Sequence, residues 1–129
     1  LSWREDAVTD DKLLTEAELE LMNALWDVGS GTVRDVQAAL PPGRAYTTVS
    51  TILRILVDKG FAVATPEGRA HRYAPAVSRA DYQERSVRHL VGHVFEGDAL
   101  ALARHLVSGE VSADQLEALR RLVDARLGR

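Results

Sequence analysis

The run Ala-Tyr-Thr-Thr-Val-Ser-Thr-Ile-Leu-Arg-Ile-Leu-Val-Asp-Lys-Gly at residues 45–60 constrains the fold more than any other stretch of this chain. As a helix it lines up Val49, Ile52, Leu53 and Leu56, the i, i+3, i+4, i+7 spacing of a helix laid on a core. The opposite stripe holds Thr47, Ser50, Thr51 and Arg54, and its one acid is Asp58 at the far end. Short hydroxyls permit close approach to a duplex and bond its phosphates, while a guanidinium reaches a guanine edge with two bonds. Tyr46 and Thr48 fall at the helix start, where backbone N–H groups would meet a phosphate, although packing or capping roles fit them equally. Ala45 is a poor N-cap and Thr47 a better one.

The flanking segments supply the rest of a known arrangement. Thr15-Glu16-Ala17-Glu18 is a capping box, with Leu14 and Leu19 as its hydrophobic staple. It opens a helix to about Val28 whose inner face carries Leu19, Met22, Leu25 and Trp26, and Gly29-Ser30-Gly31 ends it. Thr32-Val33-Arg34-Asp35 caps a second, short helix burying Val33, Val36 and Leu40, which Pro41-Pro42-Gly43 stops. Gly60 fits the position just past the third helix. Residues 61–65 alternate like a half-buried strand, Pro66-Glu67-Gly68-Arg69 reads as a turn, residues 70–74 return, and Pro75 closes the hairpin. Arg69 and Arg72 flank that turn, within reach of a phosphate or the minor groove; an ordinary polar hairpin is the plainer alternative. His71 alternates with Arg72, so one of the two faces the core side. Helix, helix, helix, hairpin over residues 13–76 is a winged helix-turn-helix, with the third helix as the recognition helix.

The fold class is therefore mainly α: a winged-helix DNA-binding domain followed by a three-helix region over residues 77–129. Residues 1–12 show no period and carry four acids, as a flexible acidic arm would. In the C-terminal region one helix runs from Ser78 to about Phe95 with Tyr82, Leu90, Val94 and Phe95 apolar. A second starts at Asp98 and reaches Ser108-Gly109, and a third starts at Ser112 and carries Leu116, Leu119, Leu122, Val123 and Leu127 along one side. Helices this short cannot bury their stripes on one another, and a second copy of the chain is the expected cover. Leu102, Leu106, Leu116, Leu119 and Val123 are the candidates for that homodimer interface.

Net charge is −3, which taken whole argues against a nucleic-acid partner, but its distribution does not. Residues 1–43 hold three basic and nine acidic side chains, residues 44–72 five (Arg44, Arg54, Lys59, Arg69, Arg72) against two, and residues 73–129 eight of each. The local excess of positive charge coincides with the proposed recognition helix and wing. With no cysteine, a disulfide framework, a thiolate metal site and a cysteine nucleophile are excluded. No apolar run approaches the ~18 residues of a membrane span, and no signal peptide is recognisable at Leu1, so a cytoplasmic protein without membrane insertion is expected. His89 and His93 share one helix face, but two imidazoles without a third ligand make no metal site. No Gly-rich phosphate loop, nucleophile elbow or paired carboxylates occur, so neither an enzyme nor a cofactor is expected.

Specific residues also carry a resemblance. Leu14-Thr15-Glu16-Ala17-Glu18, Met22-Asn23-Ala24-Leu25-Trp26, Tyr46-Thr47-Thr48-Val49, Lys59-Gly60-Phe61 and Arg69-Ala70-His71-Arg72-Tyr73 together resemble the BlaI/MecI penicillinase-repressor family. Gly97-Asp98 and Leu116-Glu117-Ala118-Leu119-Arg120 extend the similarity to about residues 13–127. The resemblance implies a homodimeric repressor holding an inverted-repeat operator in double-stranded DNA and dimerising through its C-terminal helices. It further implies relief of repression when a membrane-bound zinc-protease sensor has the repressor cut in its dimerisation region. The family's Asn-Phe cleavage pair falls here on His105-Leu106, and an Arg common near the end of the recognition helix aligns with Ile55, next to Arg54. The family's copper-responsive branch uses a cysteine hook that this chain lacks. Two other readings fit the residues: a winged-helix module that binds protein, and a repressor governed by a small-molecule effector.

Overall fold

The computed structural model describes residues 13–129, so the arm expected over residues 1–12 lies outside the described residues. Six α-helices and one antiparallel hairpin occur among them, divided between two compact units, one running through Ser86 and the other Val87–Arg129. No helix among the described residues is long and apolar enough to cross a membrane.

Helix α1 (Glu16–Val28) starts as its capping box dictates: the Glu18 N–H donates to Thr15 Oγ1 at 3.2 Å and the Thr15 N–H to Glu18 Oε1 at 2.9 Å. Gly29, at φ 84°, ends it. Its buried face is wider than the sequence stripe. Leu21 and Ala24 join Met22 and Leu25 inside, whereas Leu19 and Trp26 pack only half-buried at the rim. The reason is that α1 touches the third helix on one flank and the hairpin on the other, so one amphipathic stripe underestimates the buried arc.

Helix α2 (Val33–Ala38) opens on a second capping box, Thr32 with Asp35, and buries Val33 and Val36, with Leu40 just beyond it. Gly31 does more than end α1. It pairs with Tyr73 through two backbone bonds of 2.8 and 2.9 Å, tying the α1–α2 loop to the hairpin. A Cβ at Gly31 would stand 2.7 Å from Asp35 Cβ, so the cap and the bridge together require glycine.

Helix α3 (Tyr46–Asp58) buries Val49, Leu53 and Leu56 completely and leaves Ile52 half-buried. Ala45, not Thr47, takes the N-cap, and no side chain among the described residues caps the first turn. Thr47 is thereby left exposed inside the first turn. The far end closes as a Schellman turn: Phe61 N–H donates to Leu56 O at 2.9 Å and Gly60 N–H to Val57 O at 3.0 Å, with Gly60 at φ 85°.

Strands β1 (Ala62–Glu67) and β2 (Ala70–Pro75) pair from Ala62↔Pro75 to Glu67↔Ala70. The turn is thus Gly68-Arg69 alone, two residues shorter than the sequence suggests. Gly68, at φ 61°, supplies the positive φ that so tight a connection needs at its first position.

The core of this unit extends past residue 76. Val77 and Tyr82, the latter on α4 (Arg79–His89), are both buried. The Tyr82 hydroxyl accepts from Leu14 N–H at 2.9 Å, and its ring lies 5.9 Å from Trp26 and 5.8 Å, edge-on, from Phe61. Trp26 Nε1 donates to Val77 O at 2.8 Å. Tyr82, read from sequence as part of the C-terminal region, is a core residue of the winged helix.

One buried charge holds α1 to the end of α3. Lys59 Nζ donates to both Glu18 oxygens at 2.8 Å, and Glu18 is only 7% exposed. Burial pushes the Glu18 carboxyl up, but the Lys59 ammonium and the Thr15 bonds outweigh it and hold the group below its ordinary value. A depressed carboxyl stabilises the fold fully above the ordinary carboxylate range and loses that contribution as pH falls through the depressed value. Glu18→Gln is therefore expected to cost about 1–3 kcal/mol in urea unfolding at neutral pH, with the gap to the parent closing in acid. An equal gap at both pH values would show that the ion pair contributes nothing.

The second unit comprises the end of α4, a π-helical turn (Leu90–Val94), α5 (Ala99–Ser108) and α6 (Ala113–Leu127). The helix expected to reach Phe95 loses α geometry at Leu90; Phe95 N–H instead reaches back five residues to Leu90 O at 3.2 Å. Asp98 caps α5, and Ser112 with Gln115 forms a third capping box for α6. No residue of α5 or α6 is buried: Leu106, Leu116, Leu119, Leu122, Val123 and Leu127 are all exposed, and Leu102 is half-exposed. The His89 and His93 rings stack 4.2 Å apart, and no group of three metal-ligating residues occurs among the described residues.

Candidate nucleic-acid interface

Burying Val49, Leu53 and Leu56 fixes what α3 presents outward. Thr47, Thr51, Arg54 and Asp58 are exposed on the far side, as the helical repeat requires. Tyr46, Ser50, Arg54 and Val57 turn toward the hairpin, where they line two adjoining clefts with Arg69, His71 and Tyr73. Thr47, Thr48, Thr51 and Ile52 line a shallow depression on the other side. The predicted residues Tyr46, Thr47, Thr48, Ser50, Thr51, Arg54 and Arg69 are thus gathered on one helix and the adjacent wing tip.

The charges resolve further than a count allows. Of the five basic residues in the positive stretch, Arg44 is ion-paired with Glu20, Lys59 with Glu18 and Arg72 with Glu67. Among the described residues Arg54 and Arg69 have no carboxylate partner. Arg72 differs from what its place beside the turn suggests. Its guanidinium donates to both Glu67 oxygens, at 2.9 and 3.2 Å, and to Ser30 Oγ at 3.2 Å, bracing the hairpin against the α1–α2 loop. The Arg72 bonds hold the Glu67 carboxyl below its ordinary value, and the same bonds raise the Arg72 pKa. His71, one residue along the strand, lies on the Tyr73 side and lines the cleft.

One contributor escaped the sequence reading. Arg34, on α2, reaches the same cleft and stacks its guanidinium 5.1 Å from the centre of the Tyr46 ring. The two lie twelve positions apart in the chain, so no local period signals the contact. The side of His71 was readable, because strand alternation ties it to the large apolar Tyr73 two residues on.

Comparison with known proteins places the chain in a family. The transcriptional regulator BlaI of Mycobacterium tuberculosis is 36% identical over 112 residues, covering 84% of this chain and 80% of the relative. The solution structure of the DNA-binding domain of the repressor BlaI is 31% identical, covers 54% of this chain and 87% of that one, and superposes with a TM-score of 0.48. The Bacillus licheniformis BlaI monomer in complex with the blaP half-operator is 30% identical, covers 55% of this chain and 89% of that one, with a TM-score of 0.46. The family model described as penicillinase repressor matches residues 14–125, from the first turn of the winged helix to the last turns of α6, and this chain belongs to that family.

Proposed function

We propose that the chain is a transcriptional repressor, a binding protein rather than an enzyme, that holds an inverted-repeat DNA operator as a homodimer. The observation that carries this reading is the outer face of α3. Thr47, Thr51 and Arg54 share it, Ser50 borders the wing cleft beside them, and Arg54 and Arg69, without a carboxylate partner among the described residues, stand at its junction with the wing. In this reading α3 enters the major groove, Arg54 reads a base edge, and the threonines and Ser50 bond phosphates or contact thymine methyl groups. The uncapped first turn of α3, at Tyr46, Thr47 and Thr48, offers free N–H groups to a backbone phosphate. Arg69 at the wing tip holds the backbone, and Arg72 stiffens the wing that carries it.

The second unit joins two such readers. The half-exposed Leu102 and the exposed Leu106, Leu116, Leu119 and Val123 pack against a second copy of the chain. Relief of repression follows from a cut near His105-Leu106, both exposed on α5, made through a membrane-bound zinc-protease sensor. Such a cut divides the dimer and leaves α3 untouched.

Genomic fragments retained by the full chain and then sequenced test this function. Enrichment of a few sites, each with two inverted half-sites, is expected; retention of fragments in proportion to input would instead favour a protein partner for the same face.

A further inference from the structure

We propose that the cleft between α2, α3 and β2 is a phosphate seat, occupied in the complex by one backbone phosphate of the duplex, and that Arg34 and His71 are DNA contacts. The inference rests on the DNA-binding reading and adds a site to it. The cleft measures about 250 Å³. Arg34 enters it from α2, Tyr46, Ser50 and Arg54 from α3, Arg69 from the turn and His71 from β2. No carboxylate is among the described residues that line it.

Three guanidiniums around one small volume repel each other unless an anion sits among them. Their planar forks match phosphate oxygens two at a time. The stack on Tyr46 orients the Arg34 fork before any ligand arrives, which lowers the conformational cost of binding. A phosphate in the nucleic-acid backbone fits better than a free one because of where the cleft lies. One wall is the helix that reads the groove and the other is the wing, so the strand bordering the groove runs between them.

The test compares full-length parent, Arg34→Gln and Arg34→Lys, each titrated with a retained genomic fragment and with a scrambled duplex over a range of salt. Arg34→Gln is expected to weaken both duplexes by a similar factor, roughly tenfold, and to flatten the log K against log salt slope by about 0.9 per subunit. Arg34→Lys keeps the charge and is expected to keep the slope. A parent-like affinity and slope in Arg34→Gln overturns the proposal, as does a loss confined to the genomic site, which would make Arg34 a base reader. Inorganic phosphate, followed by NMR, separates the two sources of phosphate. It is expected to shift the Arg34 and His71 signals in the parent, to leave the His71 signal of Arg34→Gln in place, and to be displaced by duplex. Free phosphate that saturates the cleft alongside bound duplex overturns the assignment. If the parent binds no duplex, the proposed function fails, and the phosphate titration still reports on the cleft.

Discussion

Leu119→Asp is expected to turn the full chain into a monomer and to weaken its hold on a two-half-site operator by about 10²–10⁴-fold. Leu119 lies on α6, where it is 37% exposed, and Leu116 and Val123 on the same helix are exposed with it. A charge placed there stays hydrated in a monomer, but would have to shed water in an interface between two apolar helices, at a cost of several kcal/mol. One winged helix makes few base contacts, so tight binding depends on the second half-site being engaged by a tethered partner at high effective concentration. The substitution leaves the reader intact, since every buried hydrophobic residue among those described lies between Leu21 and Tyr82. Sedimentation, NMR and operator titration check the three parts together. A variant that stays dimeric, or a monomer that binds as tightly as the parent, would remove the tether from the account.

What the sequence revealed and what it hid follow one physical division. Capping boxes are local, so Thr15 with Glu18, Thr32 with Asp35 and Ser112 with Gln115 were all legible as helix starts. The faces of α3 were legible because a period of 3.6 separates Val49, Leu53 and Leu56 from Thr47, Thr51 and Arg54 without ambiguity. Long-range pairings were not. Arg72 looked like a free cation until Glu67 and Ser30 were found on it, and Glu18 looked like a capping residue alone until Lys59 reached it. The packing of Tyr82 was not legible because its partners, Leu14, Trp26 and Phe61, lie at least 21 residues away in the chain. The π-helical turn at Leu90–Val94 left no apolar-period signature, since Leu90 and Val94 keep helical spacing through it.

Within α3, Arg54 is the residue expected to read sequence. It is exposed, has no carboxylate partner among the described residues, and sits where the outward face meets the wing cleft. An arginine on a guanine edge makes two bonds that a wrong base cannot return, worth about 1–3 kcal/mol of discrimination per half-site. Removing Arg69 from the wing tip should instead weaken all duplexes alike, because a phosphate contact carries no sequence information. The deciding measurement is the ratio of operator to scrambled-duplex affinity, at one fixed salt concentration, for the parent, Arg54→Ala and Arg69→Ala. The account predicts that Arg54→Ala lowers this ratio by about 5–150-fold per half-site while Arg69→Ala leaves it near the parent value. A ratio unchanged by Arg54→Ala but lowered by Arg69→Ala would contradict it, and would make the wing the reader and the helix the anchor.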